Sequence, residues 1–374
     1  MKLLKISVIV LLFGVIFSLP AAAENEDFYA EQYKISGAEE IEDNLPDGAR
    51  EYFSENGIDP SDSGWVNLLS AESVFGHIWG FITSGAKAPL RAGTAIIGII
   101  LISAALSAAE SKSSAVSAAM YASAVAAAAV IAAPVFSVIS ASVNALQGLS
   151  VFMLAFIPIF AVIVASSGAA VTSVSMSALL LTASQAVSYI SNFAVLPLMG
   201  GYLALSISTS VSPLVKKSGI TDTVKKLAFW IMSFISTVFI GILSIQTAVN
   251  ASADSLTVKT AKFIIGSSVP VAGGALSEAL NTVTASMGLL KSSVGIYGVA
   301  ACCATLLPLI VELIIWRAVL IITSGVSELF SLPEISGILK AVDSMFSILI
   351  GIMLLTGAMF VISLTIVVTA GKPQ

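Results

Sequence analysis

From Ala92 to Val368 the chain is a succession of long apolar runs, and this succession limits the possible folds more than any other feature. Hydrocarbon offers no partners to backbone N–H and C=O groups, so an apolar run that crosses a bilayer must form a helix of about 20 residues. The candidate spans are 92–109, 115–139, 152–164, 171–190, 193–211, 227–248, 263–290, 294–330 and 346–368. The run 263–290 could be one kinked helix or a re-entrant hairpin, and 294–330 is too long for one span. We therefore expect seven to ten spans.

The composition agrees with a membrane protein. Hydrophobic residues make up 57% of the chain and charged residues only 10%, whereas a globular protein carries about 25% charged residues. The sequence predicts an all-α fold, a polytopic transmembrane helical bundle with broken or re-entrant helices. Of the 22 acidic residues, 14 lie between Glu24 and Glu72, so the net charge of −5 describes one short segment. Nucleic-acid binding, which requires clustered Lys and Arg, is not expected.

The N-terminus has the pattern of a signal peptide over residues 1–23. Lys2 and Lys5 precede an apolar stretch, and the small residues Ala21 to Ala23 follow it as a cleavage site. An uncleaved first transmembrane helix is the alternative. In both cases the chain from Glu24 onward begins outside the cytoplasm.

Residues 24–86 form an acidic extracytoplasmic helical segment. One short helix is predicted over 38–45, and a second begins at Pro46 and ends at Gly57 with Ala49, Tyr52 and Phe53 on its apolar side. Apolar residues from Trp65 to Ile82, several of them aromatic, then recur at helical spacing, which favours a helix at the membrane interface.

Residues 87–140 contain two leading spans rich in Ala, Ser and Gly. Small residues allow close helix approach, so these spans are expected to pack against protein, within the chain or between copies. The densest basic cluster, Lys216 to Lys226, is predicted to be cytoplasmic. A count of the predicted spans from an outside N-terminus does not place this cluster in the cytoplasm unless the assignment of some spans is forced. The membrane side of the C-terminus therefore stays open.

The rest divides into a first membrane unit, 141–250, and a second, 251–374, which could be a repeat of the first. Ser173 to Leu179 resembles Thr284 to Leu290, and Leu196-Pro197-Leu198 recurs as Leu307-Pro308-Leu309, both at a separation of 111 residues. Chance similarity between apolar sequences is the alternative. Repeated units with broken helices are common in transporters.

Helix breakers and polar residues inside apolar runs are the candidate functional positions, because membranes tolerate them mainly where protein or a wet cavity surrounds them. Each position has two interpretations. The residue lines a pore or relay, or it serves plain packing or an interhelical ion pair. The candidates are Pro158, Ser166, Ser167, Gly168, Gly266, Pro270, Gly273, Gly274, Ser277, Glu278, Glu312 and Arg317.

No catalytic, cofactor or metal pattern accompanies these positions. His77 is the only histidine and lacks metal ligands at suitable spacing, while Cys302 and Cys303 are adjacent within an apolar run. A non-enzymatic protein without a cofactor is expected. A stand-alone secondary transporter, with a substrate site between the two broken segments, is the alternative, and an intramembrane enzyme is a weaker third.

Several motifs resemble the stage III sporulation protein AE family over essentially the whole chain. The motifs are Leu45-Pro46 with Gly57-Ile58-Asp59, the run from Phe156 through Ser166-Ser-Gly168, Lys262-Phe-Ile-Ile-Gly266 with Pro270 through Ser277, and Lys291-Ser-Ser-Val-Gly-Ile-Tyr-Gly298.

The resemblance implies a multi-pass subunit of the mother-cell membrane that faces the forespore intermembrane space. It further implies a channel or secretion-like complex between mother cell and forespore, required for spore development. The implied partners are other membrane proteins of the same sporulation operon, a forespore-side channel partner, membrane lipid and further copies of the chain. The resemblance supplies no catalytic residues.

Overall fold

The computed structural model describes residues 26–62, 65, 71–109, 114–190, 237–246 and 273–369, together with short pieces between 197 and 260. These residues are almost entirely helical and contain no strand, so the predicted all-α bundle is confirmed. The principal helices are α1 (Glu26–Ile35), α2 (Glu40–Asp43), α3 (Asp47–Asn56), α4 (Ala71–Gly85), α5 (Lys87–Ala109), α6 (Ser114–Ser166), α7 (Ala170–Ile190), α8 (Gly273–Leu329) and α9 (Pro333–Thr369). The predicted signal peptide lies outside the described residues.

The acidic segment contains the two short helices that the sequence predicts. Pro46 precedes α3, and Gly57 ends it in the left-handed conformation with φ of 62°. Ala49 and Phe53 are buried and Tyr52 is half-buried, so the predicted apolar side of α3 is confirmed.

Helices α4 and α5 meet at Ala86, and backbone hydrogen bonds continue across this residue. The Ala86 N–H donates to the Ile82 carbonyl, and the Leu90 N–H donates to the Ala86 carbonyl. The apolar stretch therefore runs from Trp79 to Ala108 as one candidate span. Pro89 has no N–H to donate to the Gly85 carbonyl, but the bonds of Ala86 and Leu90 on either side of it are made.

Helix α6 joins two predicted spans, 115–139 and 152–164, so their prediction as separate spans is wrong. Its 53 residues correspond to about 80 Å, against about 30 Å of hydrocarbon. The residues between the two runs are uncharged, and the hydroxyls of Ser142 and Ser150 bond to carbonyls of their own helix. The polar stretch therefore continues the helix.

Helix α8 likewise joins residues that the sequence analysis divided between 263–290 and 294–330. It has 57 residues, about 85 Å, and it is continuous from Gly273 through Pro308. Residues 263–272 lie outside the described part. In the part of the chain that the structure describes, five helices are long and apolar enough to cross a membrane. Most of the predicted spans 193–211 and 227–248 fall outside the described residues. Within 227–248, the structure describes the short apolar helix Thr237–Gln246.

The bundle contains both antiparallel and parallel helix pairs. Helices α8 and α9 form a hairpin that turns at Ser331, with φ of 57°, and Trp316 lies beside Phe346 across it. Helix α9 carries apolar side chains on nearly every side, and most of them are buried, as expected for a helix without a polar face. Helix α6 runs antiparallel to both α7 and α8, and α5 runs parallel to α8 with Gly93 against Val319.

Candidate functional site

The acidic segment, α6 and α9 all meet the same stretch of α8, from Leu290 to Leu306, which we call the junction. Nearly every residue of this stretch is buried. It contains the motif Lys291-Ser-Ser-Val-Gly-Ile-Tyr-Gly298, whose Lys291 is only 3% exposed. The motif presents hydroxyl groups to the acidic segment and glycines to the other helices.

A buried chain of hydrogen bonds connects the acidic segment to Ser293. The Trp65 indole N–H donates to Ser293 Oγ at 3.1 Å, and the Tyr29 hydroxyl lies 2.7 Å from the same Oγ. The Tyr29 hydroxyl also lies 3.0 Å from the Pro60 carbonyl, which can only accept. The phenol hydrogen is therefore given to Pro60, and Ser293 donates to Tyr29. Each group has a partner, as burial in a low-dielectric interior requires.

Tyr297, one turn beyond Ser293, supplies the aromatic part of the contact. Its ring centroid lies 4.8 Å from that of Phe53 and 5.7 Å, edge to face, from that of Trp65. Aromatic pairs at these separations add to the free energy gained from burial. Ser293 and Tyr297, four residues apart, therefore lie on one face of α8 and bind the acidic segment to this helix.

Backbone approaches backbone at the far end of the junction. A Cβ added at Gly48 would lie 3.8 Å from both the Ala304 carbonyl oxygen and Thr305 Cα. Pro308 has no N–H for the Ala304 carbonyl, so the first turn of α3 lies against a carbonyl without its ordinary helical partner. On the other side, a Cβ at Gly148 of α6 would lie 3.6 Å from Pro46.

The glycines of the motif face α6 and α9. A Cβ at Gly298 would lie 2.7 Å from Phe156 Cζ and 3.1 Å from Leu364 Cδ1, and one at Gly295 would overlap Val368. Such distances leave no room for a side chain. Gly295 and Gly298 therefore permit the close packing of three helices.

Burial changes the acid–base behaviour of the docked segment. Desolvation raises the pKa of Tyr29 to about 12, and it raises the pKa of Tyr33 further. The pKa of Glu42 is also raised, first by partial burial and then by neighbouring carboxylates, whereas the hydrogen bond from Tyr33 opposes the rise. Tyr29 and Tyr33 therefore keep their phenol protons to a higher pH than exposed tyrosines do.

The structure places the predicted residues Ser166, Ser167 and Gly168 in the turn between α6 and α7. Gly168 has φ of 92°, its N–H donates to Ala165, and the Ala169 N–H donates to Val164. This pattern is the Schellman motif, which ends a helix on a glycine. These residues connect two antiparallel helices, and Pro158 lies two turns earlier on the exposed side of α6.

Asp254 supports the same turn, and the sequence analysis did not select it. Its side chain, 2% exposed, accepts the Val171 N–H at 2.7 Å and the Thr172 N–H and Oγ1–H at 3.2 and 2.5 Å. A carboxylate at a helix N-terminus is stabilised by free N–H groups and by the helix dipole. Asp254 therefore caps α7 from a distant part of the chain.

Arg317 and Glu312 have different surroundings. Arg317 Nε donates to Asp343 Oδ1 at 2.7 Å, an ion pair between α8 and α9. Half-buried Glu312 lies against Gly85 at the end of α4, where an added Cβ would be 3.5 Å from Glu312 Cβ. The structure thus brings Glu312 to the α4–α5 boundary and Arg317 to the α8–α9 hairpin.

The remaining predicted residues belong to the stretch before the junction. Gly266 and Pro270 lie outside the described residues. Gly273, Gly274, Ser277 and Glu278 are part of helix α8, whose side chains are described only from Thr282 onward. The suggested repeat would align 277–279 with the turn Ser166–Gly168, but the former residues are inside a helix.

Within the described ranges, no group of three His, Cys, Asp or Glu residues could hold a metal ion. His77 Nε2 lies 2.6 Å from Asn56 Oδ1, and its ring packs edge-on against Tyr52. Cys302 is buried and Cys303 partly buried, both as free thiols.

Sequence reasoning did not select Ser293, Tyr297, Tyr29 and Trp65 as site residues. The available signal was the i, i+4 pair of hydroxyl residues beside the two glycines in 291–298. Ser and Tyr are ordinary in apolar helices, and their partners are distant in the sequence.

Comparison with known proteins gives one family and one relative. The family described as Stage III sporulation protein AE (spore_III_AE) matches residues 62–371. Stage III sporulation protein AE of Bacillus subtilis (strain 168) is 30% identical over 158 residues, which cover 42% of this chain and 39% of the relative. The aligned part thus spans well under half of that relative. No solved structure matches. Because the family match covers most of the chain, the protein belongs to the stage III sporulation protein AE family.

Proposed function

We propose that this protein is a non-enzymatic subunit of a channel or secretion-like complex between mother cell and forespore. In this proposal it is a multi-pass protein of the mother-cell membrane, and its acidic segment faces the intermembrane space. Membership of the stage III sporulation protein AE family is the observation that carries the proposal.

The lengths of the helices support the proposal physically. Helices α6 and α8 are each more than twice as long as the hydrocarbon core is thick. They therefore project tens of ångströms beyond one or both surfaces. A subunit that connects two membranes needs such projecting, rigid elements.

The acidic segment supports it as well. All ten acidic residues from Glu31 to Asp62 are exposed, while the apolar side of the segment is fixed to the junction. A rigidly docked charged surface of this kind suits contact with another protein. The partners in this proposal are membrane proteins of the same operon, a forespore-side channel protein, membrane lipid and further copies of the chain.

Affinity purification from sporulating cells tests the proposal. The full-length protein carries a tag, the membranes are solubilised gently, and co-purifying proteins are identified by mass spectrometry. Membrane proteins of the same operon should be enriched over a tagged, unrelated multi-pass protein. Purification without any such partner would contradict the proposed complex.

A further inference from the structure

Helix-breaking residues of several helices lie at one level of the bundle. Pro308 is inside α8, and Gly357 of α9 lies beside Leu306, where an added Cβ would be 3.0 Å from Leu306 Cδ1. Gly85, the last residue of α4, lies beside Glu312. Leu306 and Glu312 are only about 9 Å apart along α8. The breakers of three neighbouring helices therefore meet within two turns of Pro308.

Helix α6 meets the same level through the acidic segment. A Cβ added at Gly148 would lie 3.6 Å from Pro46, and a Cβ added at Gly48 would lie 3.8 Å from the Ala304 carbonyl oxygen. Residues 46–48, which we call the wedge, therefore lie between α6 and α8. The acidic segment enters the bundle at the level where its helices are weakest.

The backbone of these helices is weakened in two ways. Pro308 leaves the Ala304 carbonyl without its ordinary helical partner, and Pro89 does the same to the Gly85 carbonyl. The corresponding positions of α6 and α9 are glycines, which favour a helix less than alanine does. Sharp bends in helices occur mainly at prolines and at glycines. All four chains that pass this level can therefore bend there.

The packing is tighter on both sides of this level than at the level itself. On the junction side, a Cβ at Gly298 would lie 2.7 Å from Phe156 Cζ, and on the other side a Cβ at Gly93 would lie 2.5 Å from Val319 Cγ1. At the level of Pro308 one such distance is 3.0 Å, and the others are 3.5–3.8 Å, as in ordinary contact. Each half of the bundle is thus interlocked internally, whereas the two halves are joined more loosely.

A buried hydroxyl at this level lacks a partner within the described part of the chain. Thr356, next to Gly357, is 1% exposed, and its Oγ1 makes no hydrogen bond there. Thr365 of the same helix donates to the Val361 carbonyl at 2.7 Å, as a threonine in a helix ordinarily does. A buried hydroxyl without a partner raises the free energy of the folded state. A different course of α9 at this level would allow Thr356 to form the same bond.

We propose that the bundle bends at the level of Pro308 and that the wedge holds it at one angle. The half with the junction tilts against the half with the Arg317–Asp343 pair. In the docked state the wedge fills the space between α6 and α8, and the first turn of α3 faces the Ala304 carbonyl. Release of the segment opens this space and allows a second angle. A protein that binds the released segment more tightly than the docked one therefore changes the angle. The hinge belongs to the single chain and does not depend on the proposed function.

Distances between spin labels on the two sides of Pro308 test the hinge. The labels are attached at Val174→Cys of α7, which is 74% exposed, and at Ile322→Cys of α8, which is 62% exposed. The full-length protein also carries Cys302→Ala and Cys303→Ala, so that only the introduced thiols react. Double electron–electron resonance in detergent should give one main distance while the segment is docked.

Gly148→Leu places a side chain where Pro46 lies and should displace the wedge. A second distance between the two labels is expected. The control pair Val125→Cys and Ile322→Cys, both in the half away from the junction, should keep its distance in the same variant. An unchanged distance across the hinge would overturn the proposal. An equal change in the control pair would overturn it as well, because it would show that the whole bundle has loosened.

Pro308→Ala provides the second measurement. It restores an N–H for the Ala304 carbonyl and should stiffen α8. Combined with Gly148→Leu, it should therefore reduce the second distance or remove it. A second distance of undiminished population in the combined variant would contradict a hinge at Pro308.

Discussion

Tyr29 and Ser293 meet hydroxyl to hydroxyl at 2.7 Å, although 264 positions separate them in the sequence. Ser293→Ala should leave the Trp65 indole N–H without a partner in a buried site and should lower the free energy of unfolding by about 1–3 kcal/mol. Chemical denaturation in detergent measures this loss, and faster proteolysis within residues 26–62 reports release of the segment. Ser292→Ala is the control, because its hydroxyl bonds only to Gly288 of its own helix. Equal effects of the two variants would contradict the predicted role of Ser293.

Gly295→Ala tests the packing of α8 against α6 and α9. The added methyl group would overlap Val368, and overpacking of this kind costs about 1–3 kcal/mol. The thermal midpoint should fall. Gly288→Ala, two turns earlier, has open space around its Cβ and should be neutral or stabilising, since alanine favours helix by about 1 kcal/mol over glycine. A Gly295→Ala protein as stable as Gly288→Ala would refute the close contact.

The raised pKa of Tyr29 predicts that docking weakens at alkaline pH. The pKa is about 12 in the docked segment, above the usual value of about 10. The contribution is therefore complete below pH about 10 and is lost as pH rises toward 12, because the released segment loses its phenol proton first. Proteolysis of the segment at increasing pH measures this loss. Tyr29→Phe should dock more weakly at neutral pH and change less over this interval. An unchanged alkaline dependence in Tyr29→Phe would assign it to other groups.

Asp254→Ala should destabilise the N-terminus of α7. The substitution removes the acceptor of two backbone N–H groups, at Val171 and Thr172, and loss of such a cap costs about 0.5–2 kcal/mol. Hydrogen exchange at these two amides should accelerate. Thr257→Ala, in the same piece of chain, removes only a hydroxyl that bonds to its own helix and should leave the exchange unchanged. Continued slow exchange in Asp254→Ala would contradict the capping role.

Arg317 and Asp343 should be coupled more strongly than an exposed ion pair. Their side chains are 26% and 21% exposed, whereas Lys340 and Glu328, which also join α8 to α9, are 59% and 51% exposed. Double-mutant cycles, with Arg317→Gln and Asp343→Asn in the first pair, should give about 1–3 kcal/mol for the inner pair and less than about 1 kcal/mol for the outer. Similar coupling in both pairs would show that burial does not strengthen the inner one.

Local sequence signals predicted the parts of the fold that depend on local interactions. Pro46 and Gly57 mark the limits of α3 because each acts on the backbone where it stands. The continuity of α6 and α8 is not predicted because polar residues inside an apolar run look like a break: they are uncharged in α6 but include Lys291 in α8. Their hydroxyls are satisfied within the helix, as Ser142 and Ser292 demonstrate.

The site was predicted less completely because its contacts are distant in sequence. Gly168 has a left-handed backbone with φ of 92°, which a glycine in an apolar run can suggest, but nothing local indicates that Asp254 caps the helix that follows. Arg317 is recognisable as costly within an apolar run, but its partner Asp343 is 26 residues away on the next helix, and no local pattern links the two. Helical periodicity indicates which face is buried, but not which helix covers it.

The separation between Tyr29 and Ser293 also sets an order of events during biosynthesis. The acidic segment is translated first, and its binding surface on α8 is completed 264 residues later, roughly 15–50 s at usual translation rates. During that interval Tyr29, Phe53 and Trp65 lack the contacts with Ser293 and Tyr297 that they make in the folded protein. Folding of the N-terminal segment is therefore a late step, completed only after the bundle has formed around α8.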